Sequence, residues 1–189
     1  KNSSEVFATT VEIGKNGLLG GDLGTINAHD LIVRGTLSPG NSPGRLKVNG
    51  LVGADGPGRL KVDGPGRLKI DVGVNADGSY SYDELILTEG TAYDLETLNV
   101  EFNFIGNTNP DAFAATGKLD LDTFIRSADS SGNESGLSST FASGTTWNDV
   151  LSHAHFTATS NDYLVDISPD LTGSGALGVV VRAVPEPGT

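Results

Sequence analysis

The residues best suited to chemistry are six cations in a short internal repeat. The motif Pro-Gly-Arg-Leu-Lys begins at Pro43, Pro57 and Pro65, so its spacings are 14 and 8 residues. In each copy Pro-Gly is typical of a turn, and the residues that follow alternate as in a β-strand. This alternation places the aliphatic side chains on one face and the cations on the other. The cations are Arg45, Lys47, Arg59, Lys61, Arg67 and Lys69.

Two interpretations of these cations are open. If the three copies are neighbours in space, their side chains form a basic ladder on one outer face, where self-repulsion opposes them unless an anion covers them. The ladder is then a contact for an acidic exopolysaccharide or for another subunit. In the other interpretation, the cations are solvated charges that protect sheet edges from aggregation.

The three histidines are weaker candidates. His153 and His155 are two residues apart, so on a strand they would share one face and could chelate a metal. The spacing indicates no third ligand, and no metal is predicted there. His29 is isolated beside Asp30 and is predicted to lie in a surface loop.

Acidic residues raise the question of calcium. Asp120 and Asp122 are predicted to share one strand face, and oxygen-rich side chains cluster at residues 83–84 and 129–134. Calcium binds such oxygens, so it stays open as a ligand, and no other cofactor is predicted. Nothing in the sequence brings two carboxylates together, and no nucleophile elbow, phosphate loop or His-Glu-x-x-His helix is present. We therefore predict that the protein is not an enzyme, because a glycan-cleaving site would rest on fold analogy alone.

Composition excludes several other functions. The 189 residues include 26 Gly and 8 Pro but no Cys or Met, which favours turns and excludes disulfides and cysteine-ligated metals. Because the chain contains no Met, we expect either that an initiator and a signal peptide have been removed or that these residues are a segment of a longer chain. The net charge is −12, so nucleic acid is not a predicted partner. Residues 45–69 carry six basic and two acidic side chains, whereas residues 70–189 carry three and eighteen.

These residues must be positioned by strands, and the sequence predicts an all-β fold in two parts. Residues 1–74 contain short aliphatic strands separated by Gly, Asn and Asp, with Phe7 as their one aromatic residue. Small aliphatic side chains suit the narrow interior of a β-solenoid, similar to a parallel β-helix, in which each coil packs against its neighbours. An antiparallel meander is the alternative.

Residues 75–184 form the second part, which is acidic and rich in aromatic side chains. Asp77-Gly78 predicts a hairpin turn, and the serine-rich residues 127–144 are predicted to be a mobile loop. Further strands are predicted over 85–88, 97–105, 118–125, 155–159, 163–167 and 178–181, and short helices over 109–115 and 146–151. The pattern favours a β-sandwich-like domain or a β-domain that caps the solenoid.

The chain ends in a proline-rich tail, residues 185–189. Val184, Pro185, Glu186 and Pro187 open the sequence Val-Pro-Glu-Pro-Gly-Thr, in which the prolines forbid helix and strand pairing. This sequence resembles the PEP-CTERM sorting signal of proteins exported by Gram-negative bacteria. The resemblance implies an exosortase-type processing enzyme as a partner and delivery to the cell surface or the extracellular matrix.

A second resemblance involves the first copy of the repeat. Residues 35–44, followed by Leu46, Val48 and Gly50, are similar to the repeats of autotransporter passenger β-helices. That family usually carries small polar residues where this chain has Arg45 and Lys47. The resemblance implies a β-helical fold.

We predict a secreted or cell-surface structural protein, a self-assembling subunit of an extracellular matrix or filament such as a biofilm contains. Stackable strands and segments of opposite charge favour head-to-tail association into a homo-oligomer or polymer. Residues 4–13 are predicted to add as a strand to a neighbour's sheet edge. The alternative is a surface module that binds acidic exopolysaccharide through the ladder of arginines and lysines.

Overall fold

The computed structural model describes residues 5–40, 43–51, 53–54, 58–88, 92–94, 98–137, 147–170 and 175–184. The predicted all-β class is confirmed, since short helices are the minor element. The strands are β1 (Glu5–Ile13), β2 (Leu18–Gly20), β3 (Gly24–Val33), β4 (Thr36–Ser38), β5 (Arg45–Gly50), β6 (Arg59–Val62), β7 (Arg67–Val74), β8 (Tyr80–Tyr82), β9 (Glu84–Thr88), β10 (Ala92–Asp94), β11 (Asn99–Phe104), β12 (Ile125–Ala128), β13 (Glu134–Gly136), β14 (His155–Ser160), β15 (Tyr163–Pro169) and β16 (Leu177–Ala183). The helices are α1 (Pro110–Ala114), α2 (Leu121–Phe124) and α3 (Trp147–Leu151).

The larger sheet, sheet A, is built on the long strand β3. One edge of β3 pairs with β1, and the other edge pairs with two strands in succession, β5 along residues 24–28 and β6 along residues 30–33. Strand β9 then pairs with β5, β10 with β6, and β12 with β9. All these pairs are parallel, and β13 joins β12 antiparallel at the far edge.

The second sheet, sheet B, has the strand order β2–β4–β7–β11–β14, and all four of these pairings are parallel. Along the chain, strands of sheet A alternate with strands of sheet B, one or two at a time. Each time the chain adds to a sheet, the first new strand lies beside a strand that it added to that sheet the time before. Both sheets therefore cross the predicted boundary at residues 74 and 75. Strands β15 and β16 form a separate antiparallel hairpin after β14.

One hydrophobic core unites residues from Ile13 to Leu177. The parallel register aligns inward aliphatic side chains in columns, because Ile26 pairs with Val48 and Val48 pairs with Leu87. These three side chains are at most 2% exposed, and burying each one contributes about 1.5–3 kcal/mol. The columns explain why alternating small aliphatic residues suffice in the first part of the chain.

Aromatic side chains fill the core in the second part of the chain. Phe113 of α1 and Phe124 of α2 are fully buried, and their ring centroids are 6.2 Å apart. Phe102 of β11 meets Phe124 edge to face at 5.1 Å, an arrangement that aromatic rings favour. Helix α1 begins at Pro110, and the side chain of Asn109 caps it by accepting backbone hydrogen bonds.

The predicted strand over residues 118–125 is wrong. Asp120 instead caps α2, its side chain accepting a hydrogen bond from the backbone N–H of Asp122, and β12 begins at Ile125. Leu121 and Phe124 are three residues apart and both buried, which is helical spacing. The predicted mobile loop over 127–144 is also wrong in part, since β12 and β13 form an antiparallel pair; its residues 138–144 lie outside the described chain.

The predicted hairpin turn is confirmed. Strands β7 and β8 pair antiparallel, from Val72 with Tyr82 to Val74 with Tyr80. Gly78 supplies the positive φ of 82° that such a turn requires. Asp77 accepts hydrogen bonds from the backbone N–H and the hydroxyl of Ser79, which closes the loop.

Candidate functional site

The three copies of the repeat lie in one circuit of the chain rather than in stacked circuits. The first copy forms β5 and the second forms β6, and these strands follow one another along β3, pairing with its first and second halves. The third copy forms β7 in sheet B. The predicted ladder of six cations on one face is therefore wrong, because the cations are distributed along three strands that are not neighbours.

Each arginine of the repeat is paired with a carboxylate on an adjacent strand. The Arg45 Nε lies 2.7 Å from Glu84, the Arg59 Nε 2.8 Å from Asp30, and the Arg67 Nε 3.1 Å from Glu101. The guanidinium of Arg59 holds the pKa of Asp30 below its ordinary value. Carboxylates from the chain itself thus relieve the self-repulsion expected of the cations.

The lysines of the repeat differ in their surroundings. Lys69 of β7 places its Nζ 3.4 Å from Asp71, which is 4% exposed. Lys47 of β5 is half-buried and Lys61 of β6 is exposed. The repeat therefore forms a partly neutralised belt, named here the basic belt, that consists of Arg45, Lys47, Arg59, Lys61, Arg67 and Lys69.

The acidic residue predicted as a calcium candidate at position 83 has a structural role instead. Asp83 is fully buried, and its carboxylate accepts hydrogen bonds from the backbone N–H of Gly44 at 2.7 Å and of Asp71 at 3.0 Å. Burial raises the pKa of Asp83 to about 6. The side chain joins the residue before β5 to β7 and β9, across both sheets.

The remaining metal candidates are dispersed. Asp129 closes its own loop by accepting hydrogen bonds from the backbone N–H groups of Ser131 and Asn133. His155 lies on β14, whereas His153 lies in the turn before it, so the two do not share a strand face. Within the described part of the chain, no group of three or more His, Cys, Asp or Glu side chains is placed to hold a metal ion.

The prediction for His29 is wrong. It lies within β3, and its Nδ1 is 3.4 Å from the Asp30 carboxylate. Its ring packs against Gly53, where an added Cβ would lie 2.4 Å from Cδ2. His29 therefore occupies a filled position on sheet A and is not a loop residue.

A polar ladder on sheet A was not foreseen from the sequence. The Thr88 hydroxyl donates to Asn49 Oδ1 at 2.9 Å, and Asn49 Nδ2 donates to Asn27 Oδ1 at 2.9 Å. The next position in this column is Phe7 of β1, which pairs with Asn27. Since Phe7 offers no acceptor, Asn27 Nδ2 is buried without a hydrogen-bond partner among the described residues.

The first circuit of the chain leaves apolar side chains uncovered. Phe7 is 69% exposed and Leu18 is 71% exposed, and Val6, in line with the core column of Ile26, is 44% exposed. Among the described strands, β1 and β2 each pair along one edge only. Strand β1 pairs with β3 of its own chain along one edge, so addition of residues 4–13 to a neighbour's sheet edge stays a prediction that concerns the other edge of β1. We name this surface the open end; it consists of Val6, Phe7 and Leu18.

The terminal hairpin carries the second group of exposed apolar residues. Val165, Ile167 and Val179 of β15 and β16 pack against the core. On the other face, Leu164 and Val180 are each 53% exposed. We name this surface the hairpin face; it consists of Leu164 and Val180.

Sheet B carries a shallow cleft of about 320 Å³ on its outer side. Strands β7, β11 and β14 supply its strand residues, and the turn at Gly64 and Pro65 forms one wall. The other lining residues are Arg67, Asn99, Val100, Glu101, His155 and Thr157. Of the predicted cations, only Arg67 contributes to it.

Comparison with known proteins adds no relative. No protein-family model, curated protein or solved structure matches the chain. Of the residues that resemble the sorting signal, Val184 is 46% exposed, and Pro185, Glu186 and Pro187 lie outside the described residues. No helix in the described ranges is long and apolar enough to cross a membrane.

Proposed function

We propose that the chain is a β-solenoid and serves as a self-assembling structural protein outside the cell. Support for the solenoid comes from the regular alternation between two sheets whose successive strands pair in parallel. Aligned aliphatic columns and the polar ladder through Asn27 and Asn49 are typical of stacked coils. The basic belt, the aromatic core and the helices then occupy successive coils of one body.

The observation that carries the assembly proposal is the position of the exposed apolar side chains. Among the described residues, large exposed hydrophobic side chains occur near the start of the chain, from Val6 to Leu23, and near its last hairpin, from Leu164 to Val184. Val74 is the one such residue between these two groups. Solenoid ends normally carry polar caps, because an uncapped end buries its apolar layer against another molecule. We propose that a second copy of this chain covers the open end.

Two different apolar surfaces favour a heterologous contact. The open end of one copy packs on the hairpin face of the next, and a heterologous contact that does not close produces a fibre. The outward edge of β1 also offers backbone groups for strand addition. Both features support the filament or matrix subunit predicted from the sequence.

Three substitutions test this arrangement. Phe7→Asn removes the apolar side chain from the open end and offers an acceptor to Asn27 Nδ2, so it preserves the fold. Leu164→Asn alters the hairpin face in the same way. Val74→Asn changes an apolar residue that is 39% exposed but belongs to neither surface, and it serves as the matched control.

Light scattering after size-exclusion chromatography gives the readout. The wild type and Val74→Asn are expected to form polymers as concentration rises, whereas Phe7→Asn and Leu164→Asn each remain monomeric. An equimolar mixture of these two variants should form dimers, because each retains the surface that the other has lost. Polymerisation of either variant alone, or a wild type that stays monomeric at all concentrations, would refute the proposal.

We also propose export to the cell surface or the extracellular matrix. The support is the resemblance of residues 184–187 to the PEP-CTERM signal, which would make an exosortase-type enzyme a processing partner. In the producing bacterium, replacing Pro185 and Pro187 by Ala should retain the protein inside the cell. Export is measured by cell fractionation and immunoblotting. Unchanged export of the variant would contradict this proposal.

A second candidate function is binding of acidic exopolysaccharide by the basic belt. In its favour, the Arg59 side chain stays 61% exposed although it is paired with Asp30. Replacing all six belt cations by Gln should abolish binding to a polyuronate, whereas Arg182→Gln, at an exposed cation outside the belt, should not. Equal binding by the sixfold variant and the wild type would eliminate this function.

A further inference from the structure

The cleft on sheet B presents ordered polar groups in two rows across three strands. Asn99 of β11 pairs with His155 of β14, and Arg67 of β7 lies on the other side of Asn99. Two residues further along, Glu101 pairs with Thr157. Alternate residues of a strand point to the same face, so these side chains project to one side of the sheet and line the cleft.

The charges of the cleft compensate each other. Arg67 Nε lies 3.1 Å from Glu101 and donates to the Thr36 hydroxyl at 3.1 Å. The Arg67 side chain remains 53% exposed, and that of Glu101 remains 22% exposed. A fixed pair of this kind offers directional donors and acceptors without a net charge. It does not favour a phosphate or a polyuronate, which need uncompensated cations.

Other groups in the cleft have hydrogen-bonding capacity to spare. Asn99 uses its Nδ2 to donate to the Gly66 carbonyl at 2.8 Å, which leaves its Oδ1 as an acceptor. His155 and Thr157 are exposed, and no side-chain hydrogen bond to either is found within the described ranges. The cleft thus combines an imidazole, a hydroxyl, an amide oxygen and a guanidinium with remaining donors.

The neighbouring row of the same sheet face provides an internal comparison. There the Thr159 hydroxyl donates to Asn103 Oδ1 at 3.0 Å, and Asn103 Nδ2 donates to Asp71 Oδ1 at 2.7 Å. These side chains bond one another, whereas within the described residues the Asn99 Oδ1, the His155 ring and the Thr157 hydroxyl of the cleft form no bond with another side chain. The difference marks the cleft as the part of this surface that is available to a ligand.

We infer that this cleft binds an uncharged glycan. Sugar hydroxyls both donate and accept hydrogen bonds, which matches alternating donors and acceptors of low net charge. The volume of about 320 Å³ lies within the range of small-ligand sites, roughly 300–1,000 Å³, and the open shape admits a chain that continues beyond the site. This inference does not rest on the assembly proposal, since the open end is built by β1 and β2 and the cleft by β7, β11 and β14.

The test uses neutral oligosaccharides as probes, namely α- and β-linked oligomers of glucose, mannose and galactose, with oligogalacturonate as the charged comparison. Binding is followed by calorimetry and by the chemical shifts of 15N-labelled protein. His155→Ala and Thr157→Ala remove side chains that form no side-chain hydrogen bond within the described part of the chain, so neither is expected to disturb the fold. Each should weaken binding about fivefold, the effect of one hydrogen bond of about 1 kcal/mol.

Thr159→Ala is the matched control, because it removes an exposed threonine from the same strand outside the cleft and should leave binding unchanged. The inference is supported if a neutral oligosaccharide binds and shifts the amides of residues 99–101 and 155–157. It is overturned if none of the neutral probes binds, if oligogalacturonate shifts the same amides and binds there more tightly than all of them, or if Thr159→Ala weakens binding as much as Thr157→Ala.

Discussion

Asp83 should make the protein more stable in mild acid than at neutral pH. Its carboxylate is fully buried between strands of both sheets and accepts two backbone hydrogen bonds. These bonds favour the charged form, and so does Lys69, whereas burial and the neighbouring Asp71 disfavour it. Burial is the largest effect, so the pKa rises from the ordinary 3.8 to about 6.

The size of the effect follows from the two pKa values. Between about pH 4 and pH 6 the folded state holds a proton that the unfolded state has released, so stability falls as pH rises through this window. Above about pH 6 both states are ionised and this contribution no longer changes. A pKa of 3.8 in the unfolded chain and of about 6 in the folded chain corresponds to a loss of about 3 kcal/mol.

Urea denaturation at a series of pH values measures this loss, with Asp83→Asn as the comparison. The variant keeps the shape of the side chain but does not titrate, so its stability should fall less between about pH 4 and pH 7. The pKa of Asp120 is also raised by burial. Its effect on the pH dependence of stability is the same in both proteins and therefore cancels in the comparison. If the free energies of unfolding of both proteins change in parallel with pH, the role given to Asp83 is wrong.

Three further substitutions test the packing and the ion pairs, each by urea denaturation. Gly66→Ala places a Cβ 1.9 Å from the Val33 carbonyl oxygen and should cost at least about 1–3 kcal/mol; a variant as stable as the wild type would contradict the close approach of these two backbone segments. Phe113→Ala should cost about 3–5 kcal/mol, and a loss below about 1 kcal/mol would contradict its central position among the aromatic rings. Arg59→Gln should cost less than about 1 kcal/mol, with the loss vanishing at high salt, because its pair with Asp30 is solvent-exposed; a larger loss that persists in salt would contradict this.

Strands with one buried face were predictable from sequence because side chains alternate along them. Strands β11, β14 and β15 lie close to their predicted positions for this reason. Strand β9 also lies where it was predicted, although four of its five residues are buried. The strand predicted over residues 118–125 was wrong because leucines two residues apart imitate the alternation of a strand. In the structure, Leu121 and Phe124 bury one side of a helical turn. When an apolar segment is short, its local pattern alone does not distinguish the period of a strand from that of a helix.

The pairing of the strands was harder to predict than their positions in the sequence. Three nearly identical copies of the repeat suggested stacking, yet β5 and β6 pair with successive halves of β3. Close packing explains two glycines of the repeat, because a Cβ at Gly58 or Gly66 would collide with the backbone of an earlier segment of the chain. The repeat therefore encodes a turn and the start of a strand.

The features of the candidate surfaces depend on register, which explains why the sequence did not reveal them. Asn27 and Asn49 are 22 residues apart and become partners only because β3 and β5 align. The same holds for Asn99 and His155 in the cleft. A signal was present in hindsight, since asparagines recur at the same position of two similar aliphatic strands.

Hydrogen exchange of the backbone amides at low and high protein concentration tests the assembly proposal most directly. If copies associate through the open end, residues 5–13 and 18–20 and the hairpin of β15 and β16 should gain protection as concentration rises, while the buried strands β7 and β11 stay unchanged. Protection of β1 that does not depend on concentration, while the particle mass increases, would place the contact elsewhere and contradict the proposed head-to-tail assembly.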